Sequence, residues 1–147
     1  MNQREHSFQW KRRVEFCETD AAGIAHFSSF FLYMEQAEHA FLRSLDATVY
    51  RPADSDQPAM SWPRVRAECD YQSSVRFEEI LEVDVTLKKL GTKSVVYRFA
   101  FTREGEHIAT GHTTAVYCQI HAGRLTSTPI PEPLRTRMAA FVSEIDK

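Results

Sequence analysis

The common signatures of reactive or membrane proteins are missing from these 147 residues. Cysteine is scarce: Cys17, Cys69 and Cys118 are an odd number with no CxxC pair and no zinc-type spacing. That excludes a disulfide scaffold and a zinc module, and the three read as reduced thiols of a cytoplasmic protein. Charge of one sign is lacking as well. Eighteen Lys and Arg against 20 Asp and Glu leave a formal net charge of -2, without the basic field that nucleic-acid binding uses. The longest aliphatic-aromatic run, Phe30 to Met34, is far too short for a bilayer, and the polar, basic Met1 to Arg13 does not read as a signal peptide. Neither nucleic acid nor membrane is therefore expected as a partner. There is no GxGxxG, P-loop, HExxH or GxSxG elbow, so dinucleotide, triphosphate, zinc-hydrolase and serine-hydrolase chemistry find no support. No cofactor and no metal are expected.

What is present is an ordinary globular composition, 43% hydrophobic and 26% charged, which suits one domain over 1–147 with one core. Phe8, Trp10, Val14 and Phe16 alternate loosely with polar residues and predict a first strand over Phe8 to Glu18, carrying a packed Cys17. A turn around Asp20 and Gly23 breaks it. From Phe30 to Leu45, apolar residues recur every three or four positions, the mark of an amphipathic helix with a wide apolar face and Ser28 or Ser29 as N-cap. Asp46 to Pro63, rich in Pro, Asp and Ser, reads as a loop.

Strands follow at Val65 to Tyr71, Leu81 to Lys88 and Val95 to Phe101, then a turn at Arg103–Glu106 and a long strand from His107 to Ile120. After a turn at Ala122–Arg124, three prolines lead to a short helix with Leu134, Met138, Phe141, Val142 and Ile145 on one face. One long apolar helix among antiparallel strands is an α+β class, in which the sheet must cover the helix.

Candidate functional residues cluster before that helix. Asp20 is either a turn carboxylate, as Asp often is, or a nucleophile or general base facing a carbonyl held at the helix N-terminus. His26, in the same turn, either tunes that carboxylate or lines the loop. Glu35 and His39 share a helix face and read most simply as a surface pair. Lys88, Lys89 and Lys93 flank Leu90–Gly91, as a solvated turn or an anion site for phosphates.

In this order, Thr19 to Phe27 (TDAAGIAHF), Glu35 on the helix, Leu90 to Ser94 (LGTKS), Gly111 to Val116 and Pro129 to Pro131 resemble the 4-hydroxybenzoyl-CoA thioesterase family of hotdog-fold proteins. The likeness runs from about Arg13 to Pro131. It implies a hotdog fold, a long central helix wrapped by a curved antiparallel sheet, in homodimers or homotetramers with the acyl-CoA site at the subunit interface. By matching position, Asp20 is implied as the catalytic carboxylate after a D-x-x-G loop closed by Gly23, with the Phe27 N–H holding the thioester oxygen. His26 and Phe30 fall where relatives line the acyl pocket, often with Tyr at the Phe30 position, and Glu35 where they carry an acid. Lys89, Lys93 and Ser94 are the expected contacts to the CoA end of the substrate.

The expected activity is hydrolysis of an acyl-CoA, or an acyl-carrier-protein thioester, to a carboxylate and a thiol. The rivals are a non-catalytic acyl-CoA-binding module, against which Asp20 argues, and a hotdog dehydratase or hydratase, which needs a suitably placed His.

Overall fold

The computed structural model describes residues 6–143; Ile145 lies outside them. Five strands form the main antiparallel sheet. These are β1 (Phe8–Arg13), β4 (Arg64–Tyr71), β5 (Ile80–Leu90), β6 (Ser94–Arg103) and β7 (Glu106–Val116), in the spatial order β1-β5-β6-β7-β4. The long helix α1 (Ser29–Ser44) lies against one face. A smaller sheet takes the order β2-β3-β8-β9, from β2 (Tyr50–Arg51), β3 (Ala59–Ser61), β8 (Cys118–His121) and β9 (Arg124–Ser127). Helix α2 (Glu132–Ala139) closes the described chain, with Pro133 in its first turn.

Period-two alternation decides which face of the sheet is buried. Leu81, Val83, Val85 and Leu87 of β5, and Val95, Tyr97, Phe99 and Phe101 of β6, are fully buried. Helix α1 meets them with Phe30, Tyr33, Met34, Ala37, Phe41 and Leu42. Edge-to-face aromatic contacts join the layers: Phe30 to Phe101 at 5.2 Å, Phe41 to Tyr97 at 5.8 Å and Phe41 to Phe141 at 5.0 Å between centroids. The helix seats so closely on β7 that a Cβ at Gly111 would overlap Met34 Sδ and lie 3.3 Å from the Glu68 carbonyl.

Several sequence expectations need correction. The first strand ends at Arg13, and Phe16–Glu18 is a 3-10 turn closed by the Glu15 N–H donating to the Glu18 carboxylate at 2.7 Å. Cys17 on that turn is exposed, not packed. The expected loop over Asp46 to Pro63 contains β2 and β3, too short to show alternation. The expected strand His107 to Ile120 is two, β7 and β8. Between them the Tyr117 N–H donates to the Lys93 carbonyl at 2.7 Å, and the chain passes from the large sheet to the small one. Strand β9 was not expected at all. Leu134, Met138 and Phe141 are buried as expected, but Val142 is exposed.

The edge strand β4 pairs only with β7, leaving its other backbone edge without a partner among the described residues. Its side chains are exposed on both faces, Val65 to 66%.

Candidate active site

The chain between β1 and α1 is built around Glu18. Its buried carboxylate accepts from Arg12 Nη2, from the Tyr33 hydroxyl at 3.1 Å and from the Glu15 N–H. Burial, and then the Glu18 carboxylate, push the Tyr33 phenol well above its ordinary range. The Glu18 backbone carbonyl meanwhile accepts the His26 N–H and the Ser29 hydroxyl, each at 2.8 Å. One residue thus ties β1, the turn and the start of α1 together.

Asp20 stands in an Asx turn. Its Oδ1 accepts the Ala22 N–H at 2.9 Å, and its carbonyl accepts the Gly23 N–H at 2.9 Å. Gly23 has φ +79°, a left-handed conformation that glycine takes without steric cost. The turn is anchored where the Ala25 N–H donates to the Val75 carbonyl at 2.8 Å. Asp20 Oδ2 receives no hydrogen bond from the described residues.

Past this turn the backbone donors are nearly all used. The His26 N–H goes to Glu18, the Ser28 N–H to His26 Nδ1 at 3.2 Å and the Ser29 N–H to the His26 carbonyl at 2.9 Å. The Phe27 N–H between them has no acceptor among the described residues. Ser28 is the N-cap by position but does not cap. Its hydroxyl pairs with His26 Nδ1 at 2.7 Å, so the positive end of α1 stays open.

Asp20, Phe27 and Phe30 line one cleft of about 290 Å³ together with Tyr71, Ser73 and Ser74. Tyr71 donates its hydroxyl to the Phe27 carbonyl at 2.8 Å and packs its ring on Phe30 at 5.2 Å. Burial, and then Cys69, push the Tyr71 phenol up to about 12. Burial also raises the Cys69 thiol to about 11, so it is inert at neutral pH. Among the described residues no group of His, Cys, Asp and Glu is arranged to hold a metal, and no helix is long and apolar enough to cross a membrane.

A profile of the thioesterase-like superfamily matches residues 14–138. The chain belongs to this superfamily. A protein of Aquifex aeolicus is 30% identical over 122 residues, covering 83% of this chain and 91% of its own. A 1,4-dihydroxy-2-naphthoyl-CoA hydrolase of Synechococcus elongatus is 26% identical over 128 residues, 87% of this chain and 92% of that one. Among solved structures, the gentisyl-coenzyme A thioesterase BH1999 superposes with a TM-score of 0.75 at 27% identity, over 89% of this chain and 99% of that one. The Synechocystis 1,4-dihydroxy-2-naphthoyl-CoA thioesterase Slr0204 shares the fold at a TM-score of 0.78 and 19% identity, over 97% and 99%.

Within this thioesterase-like, α+β hotdog fold the sequence-derived residues fall into two groups. Asp20, Gly23, Phe27 and Phe30 come together at one end. Lys89, Lys93 and Ser94 lie at the other, because β5 starts beside the Asp20 turn and runs ten residue steps, about 30 Å, to Leu90. A bulge at Lys88 turns Lys88 and Lys89 toward a shallow groove with Arg66 and His112 on the outer face. Lys93 is exposed, and the Ser94 carbonyl accepts the Gly91 N–H at 2.8 Å to close the turn.

His26 stacks on Phe27 at 4.5 Å and braces the turn rather than lining the cleft. Glu35 is a half-exposed partner of His39 at 3.9 Å and is not among the residues lining the Asp20 cleft. The buried acid of α1 is Glu38, fully enclosed and paired with Arg64 at 2.7 Å. It sits between Met34 and Phe41 in the apolar stripe, an interruption that could have pointed to it but that the sequence reading, which named Glu35, passed over. Tyr71 and Glu18 carried no such signal.

Proposed function

We propose that the protein is an acyl-CoA thioesterase, with Asp20 as nucleophile or general base and the Phe27 N–H as oxyanion donor. One observation carries this: a carboxylate with one oxygen free and a backbone N–H without an acceptor belong to residues lining the same cleft, at the open N-terminus of α1. A thioester carbonyl bound there has its oxygen on the Phe27 N–H, which stabilises the charge that develops on attack. Asp20 either adds to the carbonyl, giving an anhydride that water opens, or takes the proton of an attacking water. In both routes the C–S bond breaks, the sulfur leaves as the thiol of CoA, and water supplies the second carboxylate oxygen. An acyl-carrier-protein thioester offers the same reacting atoms.

The aromatic wall of Phe27, Phe30 and Tyr71 suits a flat acyl group, in keeping with the aryl-CoA names of the relatives. The distant Lys89, Lys93 and Ser94 join the site through a second copy. A two-fold pairing along the open edge of β4 runs two strands antiparallel, and so brings the Leu90 end of one copy toward the Asp20 end of its partner. Lys89 and Lys93 would there meet the CoA phosphates. His26 off the cleft weighs against a hydratase.

Asp20→Asn tests the reading. Asn still makes the Asx turn, so the fold and acyl-CoA binding persist while kcat falls by about two to four orders of magnitude. Thiol release over a panel of acyl-CoAs is the assay, since binding and hydration leave the thioester intact. A folded Asn variant that hydrolyses the best substrate at the wild-type rate makes Asp20 a turn residue.

A further inference from the structure

The Phe27 N–H belongs to the peptide before Phe27, whose other end, the His26 carbonyl, is fixed by the Ser29 N–H at 2.9 Å. The peptide after Phe27 is held on its two sides by different groups. The Ser28 N–H donates to His26 Nδ1 at 3.2 Å, a contact within the turn itself. The Phe27 carbonyl accepts the Tyr71 hydroxyl at 2.8 Å, and this bond arrives from 44 residues away, at the end of β4. The Phe27 ring is largely exposed, and the ring it meets, His26 at 4.5 Å, belongs to the same turn and gives no anchorage to the sheet. Tyr71 therefore ties the turn to the main sheet at the residue bearing the unsatisfied N–H.

We infer that Tyr71 is a positioning residue: its hydroxyl holds the Phe27 carbonyl, and through it the direction of the Phe27 N–H toward the cleft. The inference rests on the thioesterase reading and adds a residue to it. The hydroxyl is fit for this work at neutral assay pH, because a phenol keeps its proton there and can donate it. Its ring does a separate job, packing on Phe30 and walling the cleft. The two jobs separate cleanly by substitution, since Phe keeps the ring and loses only the hydroxyl.

The test is Tyr71→Phe beside Tyr71→Leu, read by steady-state kinetics, thermal melting and amide hydrogen exchange over residues 26–29. In the Phe variant kcat falls about tenfold while KM stays within about twofold, because a misdirected donor weakens transition-state binding more than ground-state binding. That loss is smaller than the roughly 10²–10³-fold cost of deleting an oxyanion donor outright. The pH–rate profile keeps its shape and the melting temperature its value. The amides of Ser28 and Ser29 exchange several-fold faster. The Leu variant adds a rise in KM through loss of the aromatic wall.

Unchanged exchange over 26–29 overturns the clamp whatever the kinetics. Faster exchange with unchanged kcat overturns its part in turnover. A raised KM with unchanged kcat makes the hydroxyl a substrate contact, and a shifted pH profile makes it a proton donor; each overturns the positioning role. A wild type inactive on every acyl-CoA, with faster exchange in the Phe variant, refutes the thioesterase reading and leaves the clamp standing.

Discussion

Replacing Glu18 with Gln removes one charge from the hub and leaves its shape. The carboxylate takes donors only: the Arg12 guanidinium on Oε2, and the Glu15 N–H and Tyr33 hydroxyl on Oε1. A Gln amide keeps one acceptor and presents an NH₂ in place of the other. Turned to keep Glu15 and Tyr33, it points that NH₂ at Arg12, and a charge-assisted bond becomes a donor–donor contact. Such a bond contributes about 1.5–3 kcal/mol. Arg12 is a quarter exposed, so water recovers part of it, and the net loss is about 2 kcal/mol. For a domain of this size that lowers the melting temperature by about 6 °C.

Calorimetry at neutral pH measures the loss, and a double-mutant cycle with Arg12→Met assigns it. The coupling between the two positions should be about 1–2 kcal/mol, because the second substitution then removes a pair already broken. Turnover falls too, since the Glu18 carbonyl is the acceptor for the His26 N–H and the Ser29 hydroxyl on either side of the Phe27 donor. A Gln variant that melts within about 1 °C of wild type refutes the hub as a source of stability.

Glu38 sets a pH dependence of opposite sign to the usual carboxylate. Burial raises its carboxyl above the ordinary 4.5 despite Arg64, so the folded chain binds this proton more tightly than the unfolded one and stability falls as pH rises from that range toward the raised value. Glu38→Gln removes this part of the slope, and melting curves of equal slope for the two proteins would count against it. Lys89→Ala or Lys93→Ala should raise KM for acyl-CoA several-fold at low ionic strength, about 1 kcal/mol, and leave kcat alone; wild-type KM in both makes them a solvated turn. The open edge of β4 predicts at least a dimer, and light scattering at micromolar concentration that finds only a 17.0 kDa species refutes it.

Much of this architecture was legible in the chain because it rests on long periodic segments. The helix that reads as Phe30 to Leu45 is Ser29–Ser44, and the alternation of β5 and β6 set the buried face without ambiguity. The small sheet was not legible, since β2, β3 and β9 have two to four residues each and exist through pairing with distant partners. The Asp20 turn stood out through its Gly and its place between strand and helix. What holds that turn did not. Glu18 looked like one acid among several, Tyr71 lies 44 residues beyond Phe27, and both act through contacts that local spacing does not encode. Cys17 was misplaced for the same reason, because the Glu15–Glu18 contact, not the loose alternation, ends the strand.

The close seat of α1 on β7 gives the cleft a remote adjustment screw. Met34 rests where Gly111 has no side chain, and it stands one helical turn from Phe30, on the same face. A single methyl on Gly111 forces the Met34 thioether to move, and the packing it disturbs lies one helical turn from Phe30 in the cleft wall. Gly111→Ala is therefore felt as repacking behind the cleft wall, from a strand that contributes no residue to the lining.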